Sequence, residues 1–200
     1  MLFMLACGSV VGSNQSIRAL RQSLNRWVHV SAYIMCITNQ VSNSFRIQDA
    51  LAFDAKHLAA VRTAELLTNL TESVIIEGYN FTEALEHNIK ECLSLGKHTN
   101  VIHLTLTSIT RYLWAHKEYQ PWGQRLSLQC PQCGILNPWE TTFSQRIPGY
   151  SVGCKNDSCG KEYGTMRVEP HSFIVPKPTD CALLKQYEGA GWMKAPLKLE

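Results

Sequence analysis

CPQCGILNPWETTFSQRIPGYSVGCKNDSCG, residues 130–160, is the stretch that decides how this chain is read. Two residues separate Cys130 from Cys133, four separate Cys154 from Cys159, and twenty lie between the pairs. Cysteines so close in sequence can turn both sulfurs toward one ion in a tight knuckle. Gly134 and Gly160 follow the two pairs and free the backbone where amides bend toward sulfur. Zn2+ takes four tetrahedral ligands and suits thiolates at ~2.3 Å. The spacing therefore predicts one zinc site at Cys130, Cys133, Cys154 and Cys159. Four thiolates leave no open position for water or substrate, so the expected role is structural.

The alternatives at these positions are two disulfides, four free thiols, or iron in a rubredoxin-like site. Iron sites of that kind usually pair two short knuckles, and the second pair here is wider. Between the pairs, residues 136–143 and 150–154 are suited to a hairpin, with Pro148-Gly149 as its turn. Residues 161–168 are suited to a third strand. A module this small lacks a sufficient core, so the metal is expected to supply folding free energy. Trp122, Trp139, Phe143, Tyr150 and Tyr163 lie in or beside it, interleaved with Arg146, Lys155, Lys161 and Arg167. Such a pattern can stack on single-stranded nucleic acid. Acidic Glu140, Asp157, Glu162 and Glu169 interrupt it, which favours a packing role for the rings.

Upstream the character differs. Residues 1–6 (MLFMLA) form an apolar run that suits a buried strand and leads into Cys7-Gly8. Ser13 or Asn14 caps a predicted helix over 15–27, with Ile17, Leu20, Leu24 and Trp27 or Val28 at helical spacing on one face. Residues 29–37 suit a second buried strand. A long helix is predicted over 47–76, with a break near Asp54, and Gly78 ends it. Thr82 starts another helix over 83–95, closed by Gly96. Residues 101–106 (VIHLTL) read as a strand, and 108–117 fit either strand or helix. Pro121-Trp122-Gly123 marks a boundary. The expected organisation is an α/β domain over 1–120, a β-rich zinc ribbon over 124–170, and a Pro-containing tail with a short helix over 171–200.

Charge selects no partner. The net formal charge is +3, with ten basic and nine acidic groups in residues 1–120 and nine and seven in 121–200. A strong nucleic-acid footprint would show a basic stripe or a pI above ~9. The longest apolar run, residues 1–7, is far short of the ~20 residues needed to span a bilayer. It also lacks the basic n-region of a signal peptide. The expectation is an intracellular chain, cytoplasmic or nuclear, without a membrane partner, in which clustered thiols hold metal.

Cys7 closes an apolar strand as Ala6-Cys7-Gly8. A helix, a second apolar strand, a long helix ending in Glu77-Gly78, and Thr82-Glu83-Ala84-Leu85 follow. This order resembles the second half of a caspase-like (CHAT-type) domain, over about residues 1–105. The resemblance implies a partial three-layer sheet-and-helix domain with Cys7 as candidate nucleophile of a cysteine peptidase. In that family the histidine base lies upstream of the cysteine. Here His29, His57, His87, His98, His103 and His116 all come later, which leaves His98 or His103 as an unrelated substitute. A start inside a core strand suggests a truncated relative. The whole chain, with Cys-Pro-Gln-Cys-Gly after Pro-Trp-Gly, also resembles uncharacterised proteins of mushroom-forming fungi. Three readings of function follow. The first is a non-catalytic zinc-binding protein with an interaction or scaffold role and a protein partner. The second is a caspase-like peptidase fragment using Cys7. The third is a nucleic-acid-binding zinc ribbon.

Overall fold

Ala50, Leu51, Ala52 and Phe53 expose no surface at all, and they form the strand around which the first half of the chain is built. The computed structural model describes residues 2–3, 13–22, 49–55, 57–144, 149–160, 169–187 and 189–197. They fall into two units, Met1–Leu113 with Lys194–Glu200, and Trp114–Met193. The boundary thus lies at Leu113, ahead of the Pro121 break suggested by the sequence. Helices mix with largely antiparallel sheets, an α/β composition at the coarse level. Among the described residues no helix is long and apolar enough to cross a membrane.

In the first unit, strand β1 (Leu2–Phe3) pairs in parallel with β2 (Asp49–Phe53). Strand β2 pairs antiparallel with β3 (Val101–Thr105), and β3 pairs antiparallel with β4 (Ile109–His116). Helix α1, over 14–22, packs Ile17 against Ala50, Ala52, Ile102 and Leu104. Side chains alternate along a strand, so Leu51 and His103 point to the opposite face. There Phe81 lies over His103, with ring centroids 5.1 Å apart. The sheet therefore carries helices on both faces.

On that second face, α2 (Ala60–Thr71) runs into a π-helical segment, Glu72–Ile76, that ends before Gly78 at φ 76°. Helices α3 (Phe81–Ile89) and α4 (Leu93–Gly96) follow. Asn80 caps α3 by accepting from the Thr82 amide at 2.9 Å.

The long helix expected over 47–76 is thus a strand followed by a shorter helix. Four consecutive apolar residues cannot carry a helical period, and β2 is buried on both sides between β1 and β3. Asp54 does mark the break. Its carboxylate accepts from the Asn100 amide (2.9 Å), Asn100 Nδ2 (2.8 Å) and Arg111 (2.6 Å). Burial pushes this carboxyl up, but the bonds from Asn100 and Arg111 outweigh burial and hold it below its usual 3.8. The helix expected over 83–95 is divided between α3 and α4. Residues 101–106 are the strand that was predicted, and 108–117 resolve as strand. Residues 29–37, and the end of the helix expected over 15–27, lie outside the described residues.

In the second unit, β5 (Trp139–Ser144) and β6 (Gly149–Cys154) form the expected hairpin, with Trp139 opposite Cys154 and Ser144 opposite Gly149. The third strand of this sheet is β7 (Ser172–Pro176), antiparallel to β6. The third strand expected over 161–168 lies outside the described residues. Two further strands, β8 (Ala182–Tyr187) and β9 (Ala190–Pro196), are neighbours in a hydrogen-bonded sheet. Residues 172–196 are therefore mainly strand where the sequence suggests a tail with a short helix. Pro176 is the last residue of β7, an edge strand of this sheet, where a missing amide is tolerated. Strands β4 and β9 each run through both units. In the first, the Leu197 amide bonds Ile109 O. In the second, Trp114 meets Trp192 edge-on at 5.6 Å.

Candidate metal centre

The hairpin brings the two cysteine pairs together. Cys154 ends β6 opposite Trp139, so Cys154 lies beside the loop that carries the first pair. That loop is a second, smaller turn. Gln129 bridges Leu136, the Cys130 amide donates to Ile135 O, and the Gly134 amide donates to Cys130 O at 2.9 Å. Gly134 has φ 73° and Gly160 φ 85°, the left-handed conformation that favours glycine after each pair. Between Cys154 and Cys159, Asn156 O accepts from the Cys159 amide at 2.8 Å, which tightens the wider loop into a turn.

The four sulfur atoms all lie within 4.8 Å of one another. Cys130 and Cys159 are 3.9 Å apart at sulfur, and Cys133 and Cys154 are 3.7 Å apart. These separations are far beyond the ~2.05 Å of a disulfide, and all four cysteines are free. A tetrahedron with metal–sulfur bonds of ~2.3 Å has edges of ~3.8 Å. The cluster therefore lies close enough to hold one metal ion, and its closest spacings match those of a tetrahedral site.

The surroundings act on the thiols in opposite directions. Asn156 donates from its side chain, and Ile135 from its amide, to Cys133, which draws that thiol down to about 6. Burial pushes Cys154 up to about 12, although the Asn156 amide donates to it. The His171 amide pulls Cys159 down, but burial and the adjoining Cys133 and Cys130 outweigh it, so the thiol lies above its usual range. Four thiolates this close repel one another, and a cation among them removes the conflict.

The cysteines are also the core of their module. Cys130, Cys154 and Cys159 are buried with Trp139, Val152 and Val175, and Trp122, Leu126, Tyr150 and Phe173 pack around them. The aromatic side chains singled out in the sequence are engaged with one another. Trp122 packs on Tyr150 at 5.2 Å, Phe143 on Tyr150 at 5.7 Å, and Trp139 on Phe173 at 5.4 Å. Tyr163, Arg146, Lys161 and Arg167 lie outside the described residues, as do Cys7 and Cys36.

The other candidates stand apart from this cluster. His98 Nε2 accepts from the Ala59 amide at 3.0 Å. His103, 2% exposed, pairs through Nε2 with Asp49 at 2.8 Å. Cys92 is buried, and burial with nearby Glu65 and Glu91 pushes its thiol up to about 12. Sequence reasoning did not name the groups that donate to sulfur, Ile135, Asn156 and His171. The positions of Ile135 just after Cys133 and of Asn156 between Cys154 and Cys159 are the signals that could have found the first two.

No protein-family model matches this chain, and neither a curated protein nor a solved structure was found to match it. The caspase-like resemblance over residues 1–105 therefore stands on its sequence motifs alone.

Proposed function

We propose that this chain is a non-catalytic zinc-binding protein with an interaction or scaffold role, in which Cys130, Cys133, Cys154 and Cys159 hold a structural Zn2+. The supporting observation is the spacing of the sulfurs, 3.7 and 3.9 Å across the two cysteine pairs, which a tetrahedral ion at ~2.3 Å requires. The donor set points to zinc. Four soft thiolates suit Zn2+ or iron–sulfur chemistry, whereas Mg2+ and Ca2+ take oxygen. A complete shell of protein ligands fits a structural role, because catalytic zinc keeps a position open. The position of the thiols inside the ribbon's core supports the same reading, since the ion then ties β6 to the loop before β5.

The aromatic residues favour an architectural ribbon over one that grips single-stranded nucleic acid. Trp122, Tyr150 and Trp139 are packed within the module, and only Phe143 among the four is largely exposed, at 52%.

The experiment is chelation of the purified protein, followed by circular dichroism and metal analysis. Removal of one zinc per chain is expected to abolish the folded signal of the 124–176 module and to be reversed by added Zn2+. A protein that releases its metal without any change in fold, or that purifies without metal and folded, contradicts the proposal.

A further inference from the structure

The four thiols of the cluster are not equally sheltered. Cys130 is 1% exposed, Cys159 3% and Cys154 9%, all within the core of the ribbon, whereas Cys133 is partly exposed. Its chain neighbours Pro131, Gln132, Gly134 and Ile135 are exposed as well, so the outer turn of the first knuckle leaves Cys133 open to small solutes. Oxidation of a cysteine follows thiolate character and access. A bound metal supplies the first to all four sulfurs, because it takes them deprotonated. Access then singles out Cys133. The partner sulfur that a disulfide needs is already beside it. Cys133 Sγ lies 3.7 Å from Cys154 Sγ, closer than Cys130 Sγ lies to Cys159 Sγ at 3.9 Å. A disulfide bond is ~2.05 Å long, so these two sulfurs must approach by only ~1.7 Å. The bond would tie the end of β6 to the same loop that the metal ties to it.

We infer that the cysteine cluster is a redox-sensitive clasp: a hydroperoxide oxidises Cys133, Cys133 closes onto Cys154 as a disulfide, and the ribbon gives up its metal. This regulation rests on the zinc reading of the same four cysteines. In the first step the Cys133 thiolate attacks one peroxide oxygen. The S–O bond forms, the O–O bond breaks, and hydroxide leaves. In the second step the Cys154 thiolate attacks the sulfenic sulfur of Cys133. The S–S bond forms, the S–O bond breaks, and a second hydroxide leaves. The two thiolates have then lost two electrons, and the peroxide has been reduced to two hydroxide ions, which take up protons as water. Cys130 and Cys159 alone remain as ligands, and two thiolates do not complete a tetrahedral shell. A thiol reductant reverses the change by exchange at the S–S bond and restores four thiolates. Cys181 is also partly exposed but lies outside the cluster.

The test uses the unaltered, zinc-loaded full chain, because serine at Cys133 removes a ligand along with the reactive sulfur. Hydrogen peroxide is added, released zinc is followed with a chromogenic chelator, and disulfides are mapped by mass spectrometry. One zinc is expected to leave for each Cys133–Cys154 bridge formed, and to be regained after dithiothreitol and added Zn2+. Trypsin cuts after Arg125, Arg146 and Lys155, so this bridge joins peptide 126–146 to peptide 147–155, whereas a bond between Cys130 and Cys133 stays inside one peptide. Fragmentation of the joined peptides tells Cys133 from Cys130. Dimedone, which traps sulfenic acids, is expected to label Cys133 during oxidation and none of Cys130, Cys154 and Cys159. Cys181→Ser is expected to release zinc at the unaltered rate. Zinc retained under peroxide that fully oxidises a free model thiol overturns the proposal and leaves the zinc reading intact. So does release with a bridge in another pairing, dimedone on a buried ligand, or release abolished by Cys181→Ser. A chain that holds no zinc before peroxide is added overturns the zinc reading itself, and the clasp with it.

Discussion

Cys130 and Cys159 are 29 positions apart in the chain, yet their sulfur atoms lie 3.9 Å apart in the core of the ribbon. That is too far for a covalent bond and close to the edge of a tetrahedral thiolate site. Removing either sulfur leaves three ligands and a hole in a small core. Cys159→Ser is expected to lose metal and to melt residues 124–176 at a temperature where the unaltered chain is folded. Cys181→Ser, which changes a thiol outside the cluster, is expected to keep both metal and melting profile. Metal analysis and thermal unfolding of the two variants check this.

Asp54 and Arg111 make a second long-range relationship, at 2.6 Å, with Asn100 on the same carboxylate. Asp54→Asn keeps the shape and removes the charge. A loss of about 2–4 kcal/mol at neutral pH is expected, because charge-assisted bonds at a partly buried site are lost together. The sign with pH is fixed by the lowered carboxyl. Its contribution is complete above the unfolded value of 3.8 and is lost as pH falls through the still lower folded value. Denaturant unfolding of both proteins from pH 7 to pH 3 should show the difference shrinking at the acid end.

Gly149 sits opposite Pro176 at the start of β6. A methyl group there would lie 2.7 Å from Val175 O and 3.1 Å from Pro176 Cα, both backbone atoms that cannot step aside. Gly149→Ala is expected to cost about 1–3 kcal/mol by forcing β7 away from β6. The check is the denaturation midpoint of the zinc-loaded protein, compared with Gly153→Ala, where the added group meets nothing within 4 Å.

Much of the ribbon was legible because its signals are local. The cysteine spacing, Gly134 and Gly160 all lie within one short stretch, whereas of the expected Pro148-Gly149 turn Gly149 already belongs to β6 and Pro148 lies outside the described residues. Strand β2 was not legible, because Ala50–Phe53 is too short to reveal a period and sits inside a longer helix-like pattern. Strands β8 and β9 were hidden for a different reason. Ala182–Tyr187 and Ala190–Pro196 gain their meaning from pairing partners, and sequence order alone does not name a partner. The His103–Asp49 pair and the Asp54 network join residues about fifty apart, and neither has a sequence motif.

Asn80 illustrates a smaller local device. Its side chain accepts from the Thr82 amide at 2.9 Å and starts α3. Asn80→Ala is expected to cost about 1 kcal/mol, and Asn80→Ser much less, because a serine oxygen can replace the acceptor. Chemical denaturation of the two variants distinguishes a lost cap from a lost side chain.

In the function proposed above, four cysteine sulfurs surround a single zinc ion. X-ray absorption at the zinc edge on the purified full chain tests it most directly. The expected result is one zinc per chain with four sulfur neighbours at ~2.3 Å and no nitrogen or oxygen in the shell. A zinc-free folded protein, or a shell in which any of Cys130, Cys133, Cys154 and Cys159 can be changed to serine without altering the sulfur count, would contradict it.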